Sequence, residues 1–346
     1  MPDAPRQLRP GEARSAGAIP HRRIPLPWPK DRPFRILSID GGGIRGIFPA
    51  AALAAIERQY TGGNSVADYF DLAVGTSTGG IITLGLGAGL EASDILDLYL
   101  NRGHDIFNPQ EGGGLKGYWR YRYNREALSG ILDETFRGKS LGESRLRLCI
   151  PAFEGKHSEV YVFKTPHHDN FPTDRHEKMV TVALATAAAP TYFRPYEHGG
   201  YILVDGGVWA NNPIMLGLVE ALTSFDVTRE KIEILSIGCG DEPYVVSDAQ
   251  MQKGGMWHWK NVVFASMRLQ SLAATNQARL LLGPPAVVRL EPPDYFPPIE
   301  LDDCDRAATL LPSAAEDAVS KQAEQLAGFF KDPAAPYVPQ TFATQA

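Results

Sequence analysis

The stretch Phe70-Asp71-Leu72-Ala73-Val74-Gly75-Thr76-Ser77-Thr78-Gly79-Gly80-Ile81-Ile82-Thr83-Leu84-Gly85-Leu86 decides the fold. Residues 70–74 make a short apolar run of strand length, and residues 80–86 open an apolar helix. Between them, Gly75-Thr76-Ser77-Thr78-Gly79 places a serine between two glycines. A nucleophile elbow needs this context: a sharp strand-to-helix turn that lifts a serine hydroxyl above the sheet edge. The glycines Gly75 and Gly79 keep the strained turn open and leave an approaching ester room. The five-residue pattern is common by itself, so its meaning rests on what surrounds it.

Upstream, the strand-like Phe34-Arg35-Ile36-Leu37-Ser38-Ile39 runs into Asp40-Gly41-Gly42-Gly43-Ile44-Arg45-Gly46. Residues 47–60 then show helical spacing, with Phe48, Leu53, Ile56 and Tyr60 on the pattern. A glycine-rich turn at a helix N-terminus presents several backbone N–H groups and binds anionic oxygen. Gly41, Gly43 and Gly46 also fit the G-x-G-x-x-G dinucleotide fingerprint. That fingerprint wants an acidic residue about 20 positions on, at the end of a strand. Glu57 comes too early and inside the helix, and Asp68 and Asp71 lack the preceding strand. An oxyanion hole serving Ser77 accounts for the same glycines.

A serine nucleophile needs a base. The chain has 8 histidines, but none stands in a late turn suited to a Ser–acid–His order. Tyr201-Ile202-Leu203-Val204-Asp205-Gly206-Gly207 is instead an apolar strand ending in an aspartate before two glycines, where a sheet enzyme places a catalytic group. An exposed aspartate, at about pKa 3.9, is a poor base, but one held against a hydroxyl in a dry pocket can accept its proton. Asp205 taken alone reads more readily as a turn cap.

In order, Asp-Gly-Gly-Gly-x-Arg-Gly, Gly-x-Ser-x-Gly and Asp-Gly-Gly resemble the patatin-like phospholipases. The segments Ala185 to Phe193 and Val208 to Pro213 resemble those flanking that family's aspartate. The resemblance runs from about Phe34 to about Gly240 and more weakly to about Pro293. It implies that Ser77 is the nucleophile and Asp205 its proton acceptor, a dyad without histidine. It implies an oxyanion hole from Gly41, Gly42 and Gly43 with Arg45 nearby, and motif turns at Gly75, Gly79, Gly206 and Gly207. The implied substrate is a membrane phospholipid, cleaved to a fatty acid and a lysolipid. No cofactor or metal is implied for the chemistry. Within the family the opening motif and compact length look most like bacterial phospholipase effectors of CBASS antiphage defence. Those enzymes are activated by a cyclic dinucleotide such as cGAMP. Constitutive esterases of lipid turnover share the same motifs, and an idle lipid- or nucleotide-binding module is the other alternative.

Composition fits this expectation. The 346 residues are 44% hydrophobic, enough for one sizeable core. Three cysteines, Cys149, Cys239 and Cys304, lack metal-ligand spacing and read as buried thiols. No run reaches the roughly 18 apolar residues of a spanning helix. The net charge of -6 carries no DNA or RNA footprint. The expected place of action is therefore the cytoplasm, peripherally at the inner face of the membrane.

Strands alternating with helices predict an α/β protein: a patatin-like three-layer α/β/α fold around a mostly parallel sheet. Three regions are expected. Residues 1–33 form a basic, proline-rich arm that reads as flexible, although Ile24 to Pro29 suits an extended strap. Residues 34–300 form the catalytic domain, with a small cap around 92–136, and residues 301–346 add a C-terminal helix and tail. In the cap, Lys116 to Tyr123 alternates aromatic and basic residues. That pattern suits a lipid interface, nucleotide stacking or an edge strand with one packed face. Residues 284–298 read as a proline-rich connector. Ser313-Ala314-Ala315-Glu316 reads as a capping box opening a helix with Val319, Ala323, Leu326 and Phe330 on one face. That helix covers the sheet or meets a partner chain in a homodimer or higher homo-oligomer.

Overall fold

The computed structural model describes residues 22–108, 121–240, 245–246, 251, 262–293 and 297–342. One sheet organises them. Its strands are β1 (Phe34–Ile39), β2 (Leu72–Gly75), β3 (Arg147–Glu154), β4 (Glu159–Lys164), β5 (Tyr196–His198), β6 (Tyr201–Asp205), β7 (Ile232–Ile237) and β8 (Val287–Leu290). The order is β5-β6-β3-β2-β1-β7-β8, with β4 paired to β3. Pairs β3–β2, β2–β1, β1–β7 and β7–β8 are parallel, whereas β4, β5 and β6 pair antiparallel.

The central strands are mostly apolar because both faces are covered, with Arg35 and Ser38 in β1 and Glu233 and Ser236 in β7 as polar exceptions. On one face Leu37, Ile39, Ala73, Leu235 and Ile237 join a large core. On the other, Phe34, Ile36, Leu72, Val74, Ile232 and Ile234 join a second. The first core is roofed by α1 (Ile47–Tyr60), α2 (Thr78–Ala88), α3 (Ala92–Ile106), α4 (Arg125–Phe136) and α5 (Met179–Thr186). Beyond the short α6 (Gly207–Ala210), the second core is roofed by α7 (Ile214–Ser224) and α8 (Val262–Leu282). Helices α9 (Cys304–Lys321) and α10 (Ala323–Phe329) complete the first layer. The three-layer α/β/α expectation is met.

Particular segments differ from their sequence reading. The stretch 92–136 contributes α3 and α4, whose buried Ile95, Tyr99, Ile131 and Phe136 share the core of α1; its middle, 109–120, lies outside the described residues. The proline-rich connector contains strand β8, paired in parallel to β7. The helix expected to open at Ser313 opens at Cys304 instead. Asp303 is its N-cap, and Pro312 and Ser313 lie in its interior. Ser313 Oγ donates back to Leu310 O at 3.0 Å, the bond of a serine inside a helix rather than of a cap. A break at Gln322 splits the predicted stripe, so that Ala323 is exposed while Val319, Leu326 and Phe330 are buried.

Residues 22–33 lie along the sheet end opposite the serine. The Leu26 amide donates to Ser224 O and the Asp226 amide to Leu26 O. Trp28 is buried between Phe34 and Phe225, with ring centroids at 4.5 and 5.4 Å. Arg32 lies over the Trp28 ring and pairs with Asp71 at 2.8 Å. Among the described residues, no helix is long and apolar enough to cross a membrane.

Candidate functional site

The elbow is built by close approach. A methyl group on Gly79 would overlap the carbonyl oxygens of Ile39 and Asp40, so α2 can leave β2 at this angle only with glycine there. Ser77 sits at φ 55° and ψ −120°, a backbone state unusual for a residue with a side chain. Such strain costs about 1–3 kcal/mol. Local bonds worth roughly 1 kcal/mol each offset it. The Ser77 amide donates to Thr186 Oγ1 at 3.0 Å, Ile81 N–H donates to Ser77 O at 3.0 Å, and Thr186 Oγ1–H is itself held by Pro151 O at 2.6 Å.

Asp205 reaches the serine through sheet topology. β3 outruns β2: it pairs with β2 through Cys149 and with β6 from Ala152 onward, where Ala152 stands opposite Asp205. The aspartate therefore emerges just past the end of β2, at the elbow. Ser77 Oγ donates to Asp205 Oδ2 at 2.6 Å, and Asp205 is its only side-chain partner among the described residues. The Gly207 amide donates to Asp205 Oδ1 at 2.7 Å. Burial pushes the Asp205 carboxyl up to about 6, against the opposing pull of the bonds from Ser77 and Gly207.

The glycine turn lies on the other side of Ser77. A methyl group on Gly41 would stand 3.3 Å from Ser77 Cβ and 2.6 Å from Asn211 Oδ1. The Gly41 amide is engaged by Asn211 O, and those of Ile44 and Arg45 by Leu301 O and Gly42 O. Among the described residues no acceptor occupies the Gly42 and Gly43 amides. The Arg45 guanidinium is tethered to Gly42 O and Gly240 O. Gly206 packs on the Pro151 carbonyl, where any side chain would overlap it.

Several contributors had no sequence motif of their own. Thr186 and Asn211 lie in the quoted flanking segments, but nothing there marks their contacts. Arg289, on β8, grips Asp40 from within the supposed connector. The run Val287-Val288-Arg289-Leu290, β-branched and apolar between prolines, was the available signal for that strand.

A second buried polar cluster stands apart from the dyad. Metal-capable atoms of Cys149, His167 and Glu220 lie within 4.8 Å of one another. Glu220 is already bracketed by Lys164 at 2.5 Å and Arg23 at 2.8 Å, so a metal ion would have to share it with two cations. The donor set fits an ion-pair cluster better than a metal centre.

A family model described as patatin-like phospholipase matches residues 37–218, which hold the glycine turn, the elbow and the aspartate. A cGAMP-activated phospholipase of Pseudomonas aeruginosa is 33% identical over 254 residues, covering 72% of this chain and 76% of that protein. One of Vibrio cholerae is 37% identical over 240 residues, covering 63% and 67%. Patatin-like protein 4 of Arabidopsis thaliana is 31% identical over 260 residues, covering 65% and 64%. With the family model spanning more than half of the chain and a relative 33% identical over 72% of it, the chain belongs to the patatin-like phospholipase family.

Proposed function

We propose that the chain hydrolyses acyl esters of membrane phospholipids through Ser77 and Asp205, at the inner face of the cell membrane, under control of a cyclic dinucleotide. The observation that carries the chemistry is the 2.6 Å bond from Ser77 Oγ to a buried Asp205 carboxylate. A carboxylate raised to about 6 is a better proton acceptor near neutrality than an ordinary aspartate.

In this reading Asp205 Oδ2 takes the Ser77 proton as Oγ bonds to the acyl carbon. The Gly42 and Gly43 amides hold the carbonyl oxygen as it becomes an oxyanion, with Arg45 adding positive charge nearby. Asp205 returns its proton to the departing lysolipid oxygen, leaving an acyl-serine. Water then attacks the acyl carbon, gives one proton to Asp205, and Asp205 passes it to Ser77 Oγ as the fatty acid leaves.

Activation by a cyclic dinucleotide is supported by the likeness to the bacterial relatives, which are named cGAMP-activated phospholipases. Membership of an antiviral defence system is part of the same proposal and rests on the resemblance of the Phe34 to Gly46 opening. A second reading, an acyl hydrolase without a nucleotide switch, is favoured by one observation: Ser77 and Asp205 already touch, so the dyad needs no closure to assemble. Fatty-acid release from phosphatidylethanolamine–phosphatidylglycerol vesicles, with and without a panel of cyclic dinucleotides, separates the two. Stimulation by one member of the panel supports the switch, and full activity without any supports the second reading.

A further inference from the structure

The oxyanion turn springs from Asp40, and Asp40 is held by elements that the family model does not match. Arg289 Nη1 donates to Asp40 Oδ1 at 2.9 Å, and Nη2 donates to Asp40 Oδ2 at 2.6 Å, a two-point fork. Ser271 Oγ, on α8, donates to the same Oδ2 at 3.0 Å. Arg289 is fixed in turn: Nη1 also donates to Ser236 Oγ of β7 at 2.6 Å, and Nε to Glu291 Oε1 at 2.8 Å. The Asp40 and Arg289 side chains are only 3% and 7% exposed. The backbone of the same residue is also anchored to β7 and the loop beyond it. Asp40 N–H donates to Ile237 O at 3.0 Å, and Cys239 Sγ–H to Asp40 O at 3.3 Å.

We propose that Arg289 is a positioning residue for the reaction: by clamping Asp40 it keeps the Gly42 and Gly43 amides aimed at the acyl oxygen. This inference rests on the reading of that turn as the oxyanion hole. Two parallel bonds fix the orientation of the Asp40 carboxylate, whereas a single point charge leaves it free to rotate. Hydrogen-bond strength falls steeply with angle, so a swing of Asp40 weakens both amides where the charge develops. Because α8 and β8 supply the clamp, movement of either element reaches the amides through Asp40.

The test uses the full chain, with active sites counted by taking fluorophosphonate labelling of Ser77 to completion. Three quantities are then measured: kcat per labelled serine and KM on a p-nitrophenyl ester, and the inhibition constant of a trifluoromethyl ketone, whose adduct carries an oxyanion. Arg289→Lys is expected to lower kcat per labelled serine by about 100-fold, the scale of a misplacement near 1 Å. KM stays within about twofold, and the ketone weakens by the same factor as kcat. Ser271→Ala removes one bond of the clamp and shows the same pattern at roughly 10-fold, the low end for a hydrogen bond to a charged group. Should Arg289→Lys fail to fold, Ser271→Ala decides the matter alone. A merely structural ion pair would lower the labelled fraction and the melting temperature, leaving kcat per labelled serine and ketone binding at wild-type values. That result would overturn the inference. A wild-type chain that takes no label at Ser77 would overturn the dyad reading and this inference with it.

Discussion

Ser77 Oγ lies 2.6 Å from Asp205 Oδ2 across 128 residues of chain, and the contact exists because β3 extends past β2 and receives β6 on its free portion. If that contact carries the chemistry, Asp205→Asn should lower fatty-acid release by about 10³-fold or more, since the amide cannot take a proton. Circular dichroism and the melting transition should stay native, because asparagine keeps the shape and can still accept the Gly207 bond. Residual release within tenfold of wild type would remove Asp205 from the mechanism.

The strain at Ser77 gives a prediction of opposite sign for stability. Ser77→Gly deletes the hydroxyl and relaxes a backbone at φ 55°, which glycine occupies freely. The variant should be inactive, and more stable by about 1–3 kcal/mol in denaturant unfolding than Ser77→Ala, which also lacks the bond to Asp205 but keeps the strain. Stability at or below that of Ser77→Ala would mean that the turn is not strained.

Two of the buried carboxylates, Asp205 and Glu220, separate activity from stability on the pH axis. Burial raises Asp205 to about 6, and its ionised form is the base, so kcat/KM should fall tenfold per unit as pH drops below about 6. Between pH 6 and its ordinary range Asp205 binds a proton more readily folded than unfolded, so this loss costs no stability. Glu220 behaves oppositely. Burial alone would raise its carboxyl, but His167, Lys164 and Arg23 together hold it well below the ordinary value of 4.5. Its contribution to stability is present above that range and is lost as pH falls through and below it. Melting temperature should therefore hold from pH 6 to 5, while activity declines, and drop below about 4.5. Coincident losses would contradict the assignment.

Space at the oxyanion turn makes a further prediction. Gly42 has an extended φ of 179° that any residue adopts, but a methyl group there would overlap Cys239 Cβ. Gly42→Ala should therefore cost about 100-fold in kcat by displacing the turn. Cys239→Gly in the same chain vacates the overlapping atom and should restore much of that loss. Failure of the double variant to exceed Gly42→Ala would show that the alanine harms the turn in another way.

The strap at residues 22–33 lies at the far end of the sheet. Trp28→Ala should cost about 3–5 kcal/mol of stability, the range for truncating a buried aromatic. Activity per folded molecule should be unchanged, as measured by fatty-acid release normalised to the native fraction.

How far the sequence could be read follows from where its information is local. The strand–turn–helix units around Gly41 to Gly43 and Ser77 are encoded by neighbouring residues: short, mostly apolar runs, glycines at close approaches, and helical spacing after them. The meeting of Ser77 with Asp205 is not local, and family resemblance supplied it before β3 and β6 explained it. β8 escaped because four residues between prolines carry too short a pattern to outweigh the prolines beside them. Arg289 escaped with it, since its partner Asp40 lies 249 residues away. The false start at Ser313 arose because Pro312 normally interrupts a helix and S-x-x-E normally begins one; burial of Leu311, Ala314 and Ala315 against α1 and its neighbours overrode both.

The most direct test of the dyad is to find where a lipid acyl group is captured. Wild-type chain, Ser77→Ala and Asp205→Asn are incubated with phospholipid vesicles carrying a labelled acyl chain, quenched in acid and mapped by peptide mass spectrometry. The account predicts acyl label on the peptide bearing Ser77 in the wild type, none there in Ser77→Ala, and strongly slowed acylation in Asp205→Asn. Undiminished fatty-acid release by Ser77→Ala, or acyl label on another residue, would contradict it.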